Sequence, residues 1–358
     1  MDMALSVNME TGGATGIWKA TVTGVALAAV ALLAVLLAVA LAAGVARASS
    51  AESRMERARQ LLEKRENDLA MDLLLEEIEE DRDNAEAHFL LTKVFLRKQE
   101  HDRAKEHAEK AVRLNDSVST YHMWLARAYL AKATESGFIN AFRYARKGKK
   151  SYERAVDLDS ANVEARLELC MYLLAAPGLV GGDAGEGRRQ AVIVESQDSL
   201  YGSYALANVS ERDRDLEGAE TYLERAVSLD TTSTFYARYA IGYFYERNGR
   251  LDEAADVFRG ILSEKPDEMI AVFQLGKICV ITGSNLDEAE DCFKHYLEVE
   301  TPPNAPSRAS AHWRLGMVYD LQGRPGPAVE EMRKAVELAP ENREFRKSLK
   351  EAEKTLEK

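Results

Sequence analysis

A recurrence of about 34 residues limits what this 358-residue chain can fold into more than any other feature. From about Ala51 onward, small residues recur in pairs seven positions apart, as at Ala104 and Ala111 or at Ala328 and Ala335. Each copy contains two amphipathic runs of helical periodicity, separated by a polar or glycine-containing turn. Because one pair of helices cannot bury its own apolar face, successive pairs must stack. The recurrence therefore predicts an all-α solenoid.

Eight copies can be counted, of which the first and fourth are degenerate. They begin near Ala51, Ala85, Ser119, Val163, Leu200, Phe235, Met269 and Ala309. The sixth copy carries Gly242, Tyr245, Ala254, Phe258 and Pro266, and the eighth carries Leu315, Gly316, Tyr319, Ala328, Ala335 and Pro340. Glycine, tyrosine, alanine, phenylalanine and proline at these offsets resemble the tetratricopeptide repeat. The resemblance implies a right-handed superhelical solenoid of about eight helix-turn-helix repeats.

The physical chemistry of these positions agrees with the resemblance. Small residues are expected where the two helices of one copy cross closely, since larger side chains would push the axes apart. A terminal proline prevents a helix from continuing into the next copy. We therefore predict a repeat array over residues 51–342. The charged, periodic stretch 343–358 predicts a helix that shields the last repeat from water.

An uncharged segment precedes the repeats. No residue between Lys19 and Arg47 carries a charge, and the apolar residues 20–46 are long enough to cross a bilayer behind a tail of residues 1–19. The length of the run favours a transmembrane anchor, whereas the Ala46-Arg47-Ala48 sequence favours a cleaved signal. Arginines after the segment favour a cytoplasmic body, although long domains can be translocated regardless of flanking charge. We expect a membrane-anchored or exported body, periplasmic or envelope-associated in a bacterium.

Three copies depart from the period. The third is ten residues too long and contains residues 138–142, the fourth contains the glycine-rich residues 176–183, and the seventh ends in the proline-rich residues 301–306. Insertions in solenoids usually form loops, often on a functional face. The glycine-rich stretch resembles exported bacterial tetratricopeptide proteins. The long third copy is similar to membrane-anchored eukaryotic proteins of the microtubule-regulator type.

The glycines between Gly178 and Gly187 predict turns rather than a phosphate-binding loop, because no strand precedes them. The six histidines form neither an HExxH motif nor a Cys-His ligand set, and no GxSxG motif is present. We therefore expect no catalytic residues, no metal site, no cofactor and no enzyme activity. Three cysteines are too few for a disulfide framework, so buried free thiols are expected, with a bridge between Cys279 and Cys292 as the alternative.

The formal net charge is −12, and residues 1–48 contribute none of it. An acidic body disfavours nucleic acid as a partner. In the repeat family the first helix of each unit lines the concave face. The side chains carried over to that face are aromatic or apolar with scattered polar groups, a composition enriched at protein-binding hot spots. They are Phe89, Lys93, Arg127, Tyr204, Asn208, Tyr236, Tyr239, Tyr243, Phe273, Lys277 and Trp313. The alternative is that these residues pack one repeat against the next.

One basic run stands out in the acidic body. It contains Arg143, Arg146, Lys147, Lys149 and Lys150. Such a run suits an acidic partner or lipid head groups, and its aromatic neighbours admit a nucleic-acid interpretation. The simpler interpretation is a solvated helix face whose aromatic residues pack inward.

The sequence thus favours a scaffold that binds a peptide or protein segment in its concave groove. The alternative is a small-ligand or lipid-binding accessory component of an envelope transport system. That component would use the enlarged third and fourth copies as a pocket, with the basic run at its mouth. The membrane would be contacted through residues 20–46, and the sequence assigns no oligomeric state.

Overall fold

The computed structural model describes residues 52–231, 235–299, 302 and 305–357. Every regular element in these residues is helical, which confirms the predicted all-α class. The tail 1–19 and the apolar segment 20–46 lie outside the described residues. Within the described part of the chain, no helix combines the length and the apolar character needed to span a bilayer.

The chain divides into two compact units, residues 1–94 and residues 95–358. The described part of the first unit contains helix α1 (52–63), helix α2 (Asn67–Glu80) and most of helix α3 (Ala85–Arg97).

In the first unit, buried Glu77 lies at a position where the copies that match the repeat pattern most closely have a small residue. Its carboxylate is satisfied by the Arg54 guanidinium at 2.9 Å and by the Asn84 side-chain amide at 3.0 Å. A paired charge can be buried where an isolated one would be very costly. This network accounts for a glutamate at a degenerate position of the first copy.

The second unit holds the remaining helices, which continue as two helices per copy and end in α17 after the last copy. The helix bounds are α4 His101–Leu114, α5 Ser119–Thr134, α6 Phe138–Leu158, α7 Val163–Ala175, α8 Ala184–Gln197, α9 Ser199–Arg212, α10 Leu216–Leu229, α11 Tyr236–Arg247, α12 Leu251–Glu264, α13 Met269–Thr282, α14 Leu286–Glu298, α15 Arg308–Leu321, α16 Pro325–Leu338 and α17 Arg343–Leu356. The predicted starts of copies two to eight fall within one residue of the odd-numbered helices α3 to α15. We call these odd-numbered members of the pairs the first helices, and their partners the second helices.

Close crossings inside each helix pair explain the recurring glycine. A Cβ atom added at Gly242 would lie 3.0 Å from the Phe258 ring, and one added at Gly276 would lie 2.9 Å from the Phe293 ring. Both rings are completely buried. The aromatic residue of the second helix therefore occupies the space that a side chain on the first helix would need.

Two expectations about the insertions need correction. Residues 138–142 do not form a loop, because they are the first residues of α6, which has 21 residues where most second helices have 14. Gly185 and Gly187 do not form turns either, because both lie in α8. Gly187 is buried, and an added Cβ would lie 2.8 Å from Leu174. Its role is close helix packing.

The loop of the fourth copy does form as expected. A short 3₁₀ turn covers Gly178–Val180, and Gly181 follows in a left-handed conformation with φ of +96°. Glycine adopts this conformation without steric cost. The Tyr172 hydroxyl fixes the turn against α6, donating at 2.8 Å to the Val180 carbonyl and lying 3.1 Å from the Ala145 carbonyl.

The C-terminal helix α17 packs on the last repeat. Phe345 is buried against Trp313 with ring centroids 5.2 Å apart, and Ala352 is buried over Val329 and Met332. The three cysteines are free thiols, of which Cys170 and Cys279 are buried. The alternative of a bridge between Cys279 and Cys292 is not adopted in this structure.

Candidate functional site

The predicted groove residues of the second unit lie on its first helices, but they differ in accessibility. Tyr204 and Phe273 are buried, as is Met123 at the equivalent position of α5. Tyr239 and Trp313 are half-buried. Packing of one repeat against the next therefore uses part of this face. The accessible remainder is formed by neighbouring positions on the same helices.

An ion-pair cluster joins α5 to α7 on this face. The Arg127 guanidinium contacts the Glu164 carboxylate at 2.8 Å and the Glu168 carboxylate at 2.6 Å. It also stacks on the Trp124 ring at 4.5 Å. The second oxygen of Glu168 accepts a hydrogen bond of 3.0 Å from the Tyr152 hydroxyl. Arg127 is therefore held in place by its own neighbours.

A group of tyrosines continues this surface onto α9 and α11. Tyr204 and Tyr236 meet edge to face with ring centroids 5.1 Å apart. Tyr236 is 61% exposed, yet desolvation by surrounding atoms raises the pKa of its hydroxyl. The Glu168 carboxylate and Tyr201 add to that rise, and the Arg127 guanidinium opposes it. Side chains from the three preceding first helices therefore lie near enough to Tyr236 to influence its hydroxyl electrostatically.

A second aromatic group lies between α11 and α13. Tyr239 and Tyr243 stack with centroids 6.1 Å apart, and the Gln274 amide donates to the Tyr243 hydroxyl at 3.2 Å. Burial raises the pKa of both tyrosines. Three buried polar atoms on this face have no hydrogen-bond partner among the described residues. They are the Tyr204 hydroxyl, the Tyr239 hydroxyl and the Gln274 carbonyl oxygen, although the Glu268 carboxylate lies near enough to the Tyr239 hydroxyl to raise its pKa.

Arg314 on α15 is the functional candidate that sequence reasoning missed. Its guanidinium lies 5.2 Å from the Trp313 ring and 5.8 Å from the Phe273 ring. It is half-buried and makes neither an ion pair nor a hydrogen bond with any described residue. Burial lowers the pKa of Arg314 below its ordinary value. A half-buried guanidinium without an acceptor lowers the stability of the free protein unless another group binds to it.

The other predicted residues of this unit are engaged in internal contacts. Lys277 pairs with Glu246 at 2.7 Å, and the Asn208 amide donates at 2.8 Å to the Tyr204 carbonyl. Phe273 packs on the Phe293 and Tyr296 rings. The Trp313 indole donates at 3.0 Å to the Ser348 hydroxyl of α17. Asn208, Phe273 and Trp313 therefore contribute to the framework of the array.

Phe89 and Lys93 belong to the first unit. Both lie on α3, with the Lys93 ammonium 5.6 Å from the Phe89 ring centroid. Side chains four positions apart share one face of a helix, so the two form a local cation–aromatic pair.

The predicted basic run lies on one face of α6. Arg143, Arg146, Lys147 and Lys150 are exposed, while Lys149 pairs with Glu153 at 3.1 Å. Of the neighbouring aromatic residues, Tyr144 and Tyr152 turn inward, whereas Phe142 lies 5.8 Å from the Arg146 guanidinium. Tyr152 is buried, and Tyr144 stacks on Tyr129 with ring centroids 6.1 Å apart. These two tyrosines therefore do not form a stacking platform beside the cations.

An open cavity adjoins the basic face. It has a volume of about 620 Å³ and lies between α6 and the turn after α7, lined by Phe142, Val180, Gly181, the five cations of the run and one acid, Glu153. The long third copy and the glycine-rich loop of the fourth copy thus enclose one depression. No cluster of three or more His, Cys, Asp or Glu side chains within the described ranges is arranged to bind a metal.

Two family models match the chain. Residues 204–341 match the model described as the cilia and flagella-associated protein 70 middle TPR-like domain, and residues 89–149 match a tetratricopeptide-repeat model. No curated protein sequence matches the chain.

Solved structures with the same arrangement are distant in sequence. The human IFIT1 dimer with PPP-AAAA aligns with a TM-score of 0.51 at 18% identity, over 76% of this chain and 63% of that one. A tetratricopeptide repeat protein from Parabacteroides merdae aligns at 0.45 and 14%, over 85% of this chain and 99% of that one. The APC/C hetero-tetramer Cut9-Hcn1 aligns at 0.48 and 14%, over 83% of this chain but 54% of that one. The chain thus spans about half the length of that relative.

The stacked helix pairs and their shared first-helix face define a helical-repeat scaffold. With both family matches and the recurring Gly, Tyr and Ala positions, the chain is a tetratricopeptide-repeat protein. This fold generally mediates contacts between proteins, and its scaffold members are generally not enzymes. Fold alone does not identify a partner.

Proposed function

We propose that this protein is an interaction scaffold that holds a peptide or protein segment along the first helices of residues 95–358. One observation carries the proposal: contacts on this face join α5 to α7 through Arg127 and Glu168, and α9 to α11 through Tyr204 and Tyr236. A surface built from several repeats can contact an extended or helical segment along its length. In our proposal these helices wind as a right-handed superhelix and the surface is its concave groove.

The chemistry of the groove supports a partner with both aromatic contacts and hydrogen-bonding groups. Tyr236 is accessible and rigidly supported by Tyr204, and tyrosine is enriched among residues that dominate binding energy. The hydroxyl of half-buried Tyr243, which accepts a hydrogen bond from the Gln274 amide, can donate its own proton to a peptide backbone. Arg314 adds a cation without an acceptor, so we propose that the bound segment presents a carboxylate there.

The test uses the full chain with paired substitutions. Tyr236→Ala and Arg314→Met should each weaken capture of the partner segment about thirtyfold, and together nearly a thousandfold, since groove anchors contribute about 2 kcal/mol or more each. Leu338→Ala is the matched control, because it removes an exposed apolar side chain from a second helix. If the double variant retains every partner that the control retains, the groove does not bind them.

The membrane part of the function is also our proposal. The apolar residues 20–46 would tether the array or direct its export, which would bring the groove to partners in an envelope or at a membrane surface. N-terminal sequencing of the mature protein, combined with cell fractionation, separates the two routes. A mature chain that begins at Ser49 indicates export with cleavage, whereas an intact segment indicates a tether.

A second candidate function follows from the cavity of about 620 Å³ beside α6. Its volume lies in the range of small-molecule sites, and its cations suit an anionic ligand. The protein would then be a ligand-binding accessory component of an envelope transport system. Native mass spectrometry of the purified chain tests this candidate, because a bound small molecule should be lost when Lys149 and Arg146 are changed to Gln.

A further inference from the structure

The exposed face of α6 combines features that occur nowhere else together in the described residues. The first fifteen residues of the helix, Phe138–Tyr152, contain five cations and no acid. Several arginines on other second helices pair with carboxylates, as Arg225 does with Glu195 at 2.6 Å and Arg259 does with Glu288 at 2.7 Å. On α6, Arg143, Arg146 and Lys150 make no ion pair with any described residue. This face therefore keeps its positive charge unneutralised in a chain whose net charge is −12.

Large apolar side chains project beside these cations. Phe138 is 84% exposed and Ile139 is 82% exposed, both in the first turn of α6. Leu179, on the 3₁₀ turn, is 78% exposed. Tyr172 fixes that turn against α6, and Phe142 and Val180 line the same cavity. The apolar residues therefore border the cationic face instead of being scattered over the surface.

The seven-residue excess of α6 over the usual second helix explains how this face arises. The extra residues extend the helix at its N-terminal end, where Phe138, Ile139 and Asn140 are all exposed. An insertion that served only to pack the repeat would bury its aromatic and branched side chains, because that burial is what stabilises a fold. Here the inserted apolar residues face solvent. Exposed apolar groups bordered by charge mark a surface that binds something.

We propose that this face of α6 docks on an anionic lipid bilayer. Phe138, Ile139 and Leu179 would enter the boundary between head groups and acyl chains, and the cations would contact the anionic head groups. A soluble acidic protein would satisfy the cations but would gain less from three separate, protruding apolar side chains. A bilayer satisfies both. The uncharged sequence 20–46 agrees with a chain that works at a membrane. The proposal does not depend on the partner groove.

The experiment places a fluorescent label at position 139 in the full chain, reconstituted in vesicles. Ile139→Cys is labelled with an environment-sensitive dye, and quenching by lipids brominated in the acyl chain reports entry into the bilayer. The vesicles contain phosphatidylcholine alone or phosphatidylcholine with about one-third phosphatidylserine. A label at Ile281→Cys is the matched control, because Ile281 is an exposed apolar residue on α13, away from the basic face.

We expect lipid quenching at position 139 only in the anionic vesicles, and none at position 281. Changing Arg143, Arg146, Lys147 and Lys150 to Gln should reduce that quenching at least about tenfold, because each basic residue near an anionic surface adds to binding. The matched charge control changes four exposed cations of α17, which are interspersed with acids, and should leave the quenching unchanged. These are Arg343, Arg346, Lys350 and Lys354.

Three outcomes would overturn the proposal. The first is equal quenching at position 139 in neutral and anionic vesicles, which would remove the role of the cations. The second is no quenching in either. The third is a dye response to soluble polyglutamate or inorganic phosphate without any response to vesicles, which would assign the face to a soluble anion. Because the label reports position 139 itself, insertion of residues 20–46 cannot imitate the expected result.

Discussion

Replacing Arg314 with methionine should separate the needs of the fold from the needs of binding. The guanidinium is half-buried without an ion-pair or hydrogen-bond acceptor among the described residues. Glu246 and Glu344 act on it only through longer-range electrostatics. The Trp313 and Phe273 rings lie 5.2 and 5.8 Å from it. Such contacts contribute about 0.5–1 kcal/mol each. Methionine keeps the aliphatic packing and removes the cost of desolvating a charge. We expect the free energy of unfolding to be unchanged or higher by up to about 1 kcal/mol.

The same substitution should weaken binding of the partner segment. A hydrogen bond to a charged group contributes about 1.5–3 kcal/mol, which corresponds to a loss of roughly ten- to a hundredfold in affinity. Urea denaturation measures the first effect, and titration of the captured partner segment measures the second. Arg333→Met is the control, because Arg333 forms an exposed surface pair with Glu353 at 3.2 Å. A loss of stability greater than about 1 kcal/mol in Arg314→Met would refute the reasoning, since it would show that the guanidinium serves the fold.

Three further results are expected. Gly276→Val should lower the free energy of unfolding by about 1–3 kcal/mol in urea, because its Cβ would lie 2.9 Å from the Phe293 ring, and Phe293→Leu should relieve part of that loss. The Arg259 guanidinium lowers the pKa of Glu288 below its usual 4.5. The stabilisation from this ion pair is therefore present above about pH 4.5 and is lost as the pH falls through the folded-state pKa. The difference in unfolding free energy between wild type and Glu288→Gln should accordingly shrink between about pH 7 and about pH 3. Burial raises the pKa of the Cys170 thiol to about 12, so mass spectrometry should find it unalkylated at pH 8 until the chain is unfolded.

The fold was largely predictable because its information is local and repeated. Each helix pair carries its own glycine, alanine and aromatic positions, so a wrong interpretation of one copy is corrected by the pattern of the next. The starts of copies two to eight fall within one residue of the first helices. The insertion at 138–142 was misassigned for a physical reason: its residues can extend a helix as easily as they can form a loop, and the period does not distinguish these outcomes.

The candidate site was less accessible to sequence reasoning. Position along a helix predicts which face a residue lies on, but not whether the next repeat covers it. Tyr204 and Phe273 are covered, whereas Tyr236 remains accessible. Arg314 follows a predicted groove residue directly, and nothing in its neighbours along the chain shows that no carboxylate reaches it. That no described carboxylate forms an ion pair with Arg314 depends on how the repeats pack.

The central claim is that a partner segment lies along the first helices of residues 95–358. The most direct measurement is site-specific photocross-linking in cells, with a photoreactive phenylalanine analogue at position 236 and, as control, at position 338 on a second helix. The account predicts cross-links from position 236 to one contiguous segment of a partner, lost in Arg314→Met and absent from position 338. Equal cross-linking at both positions, or none at position 236, would contradict it.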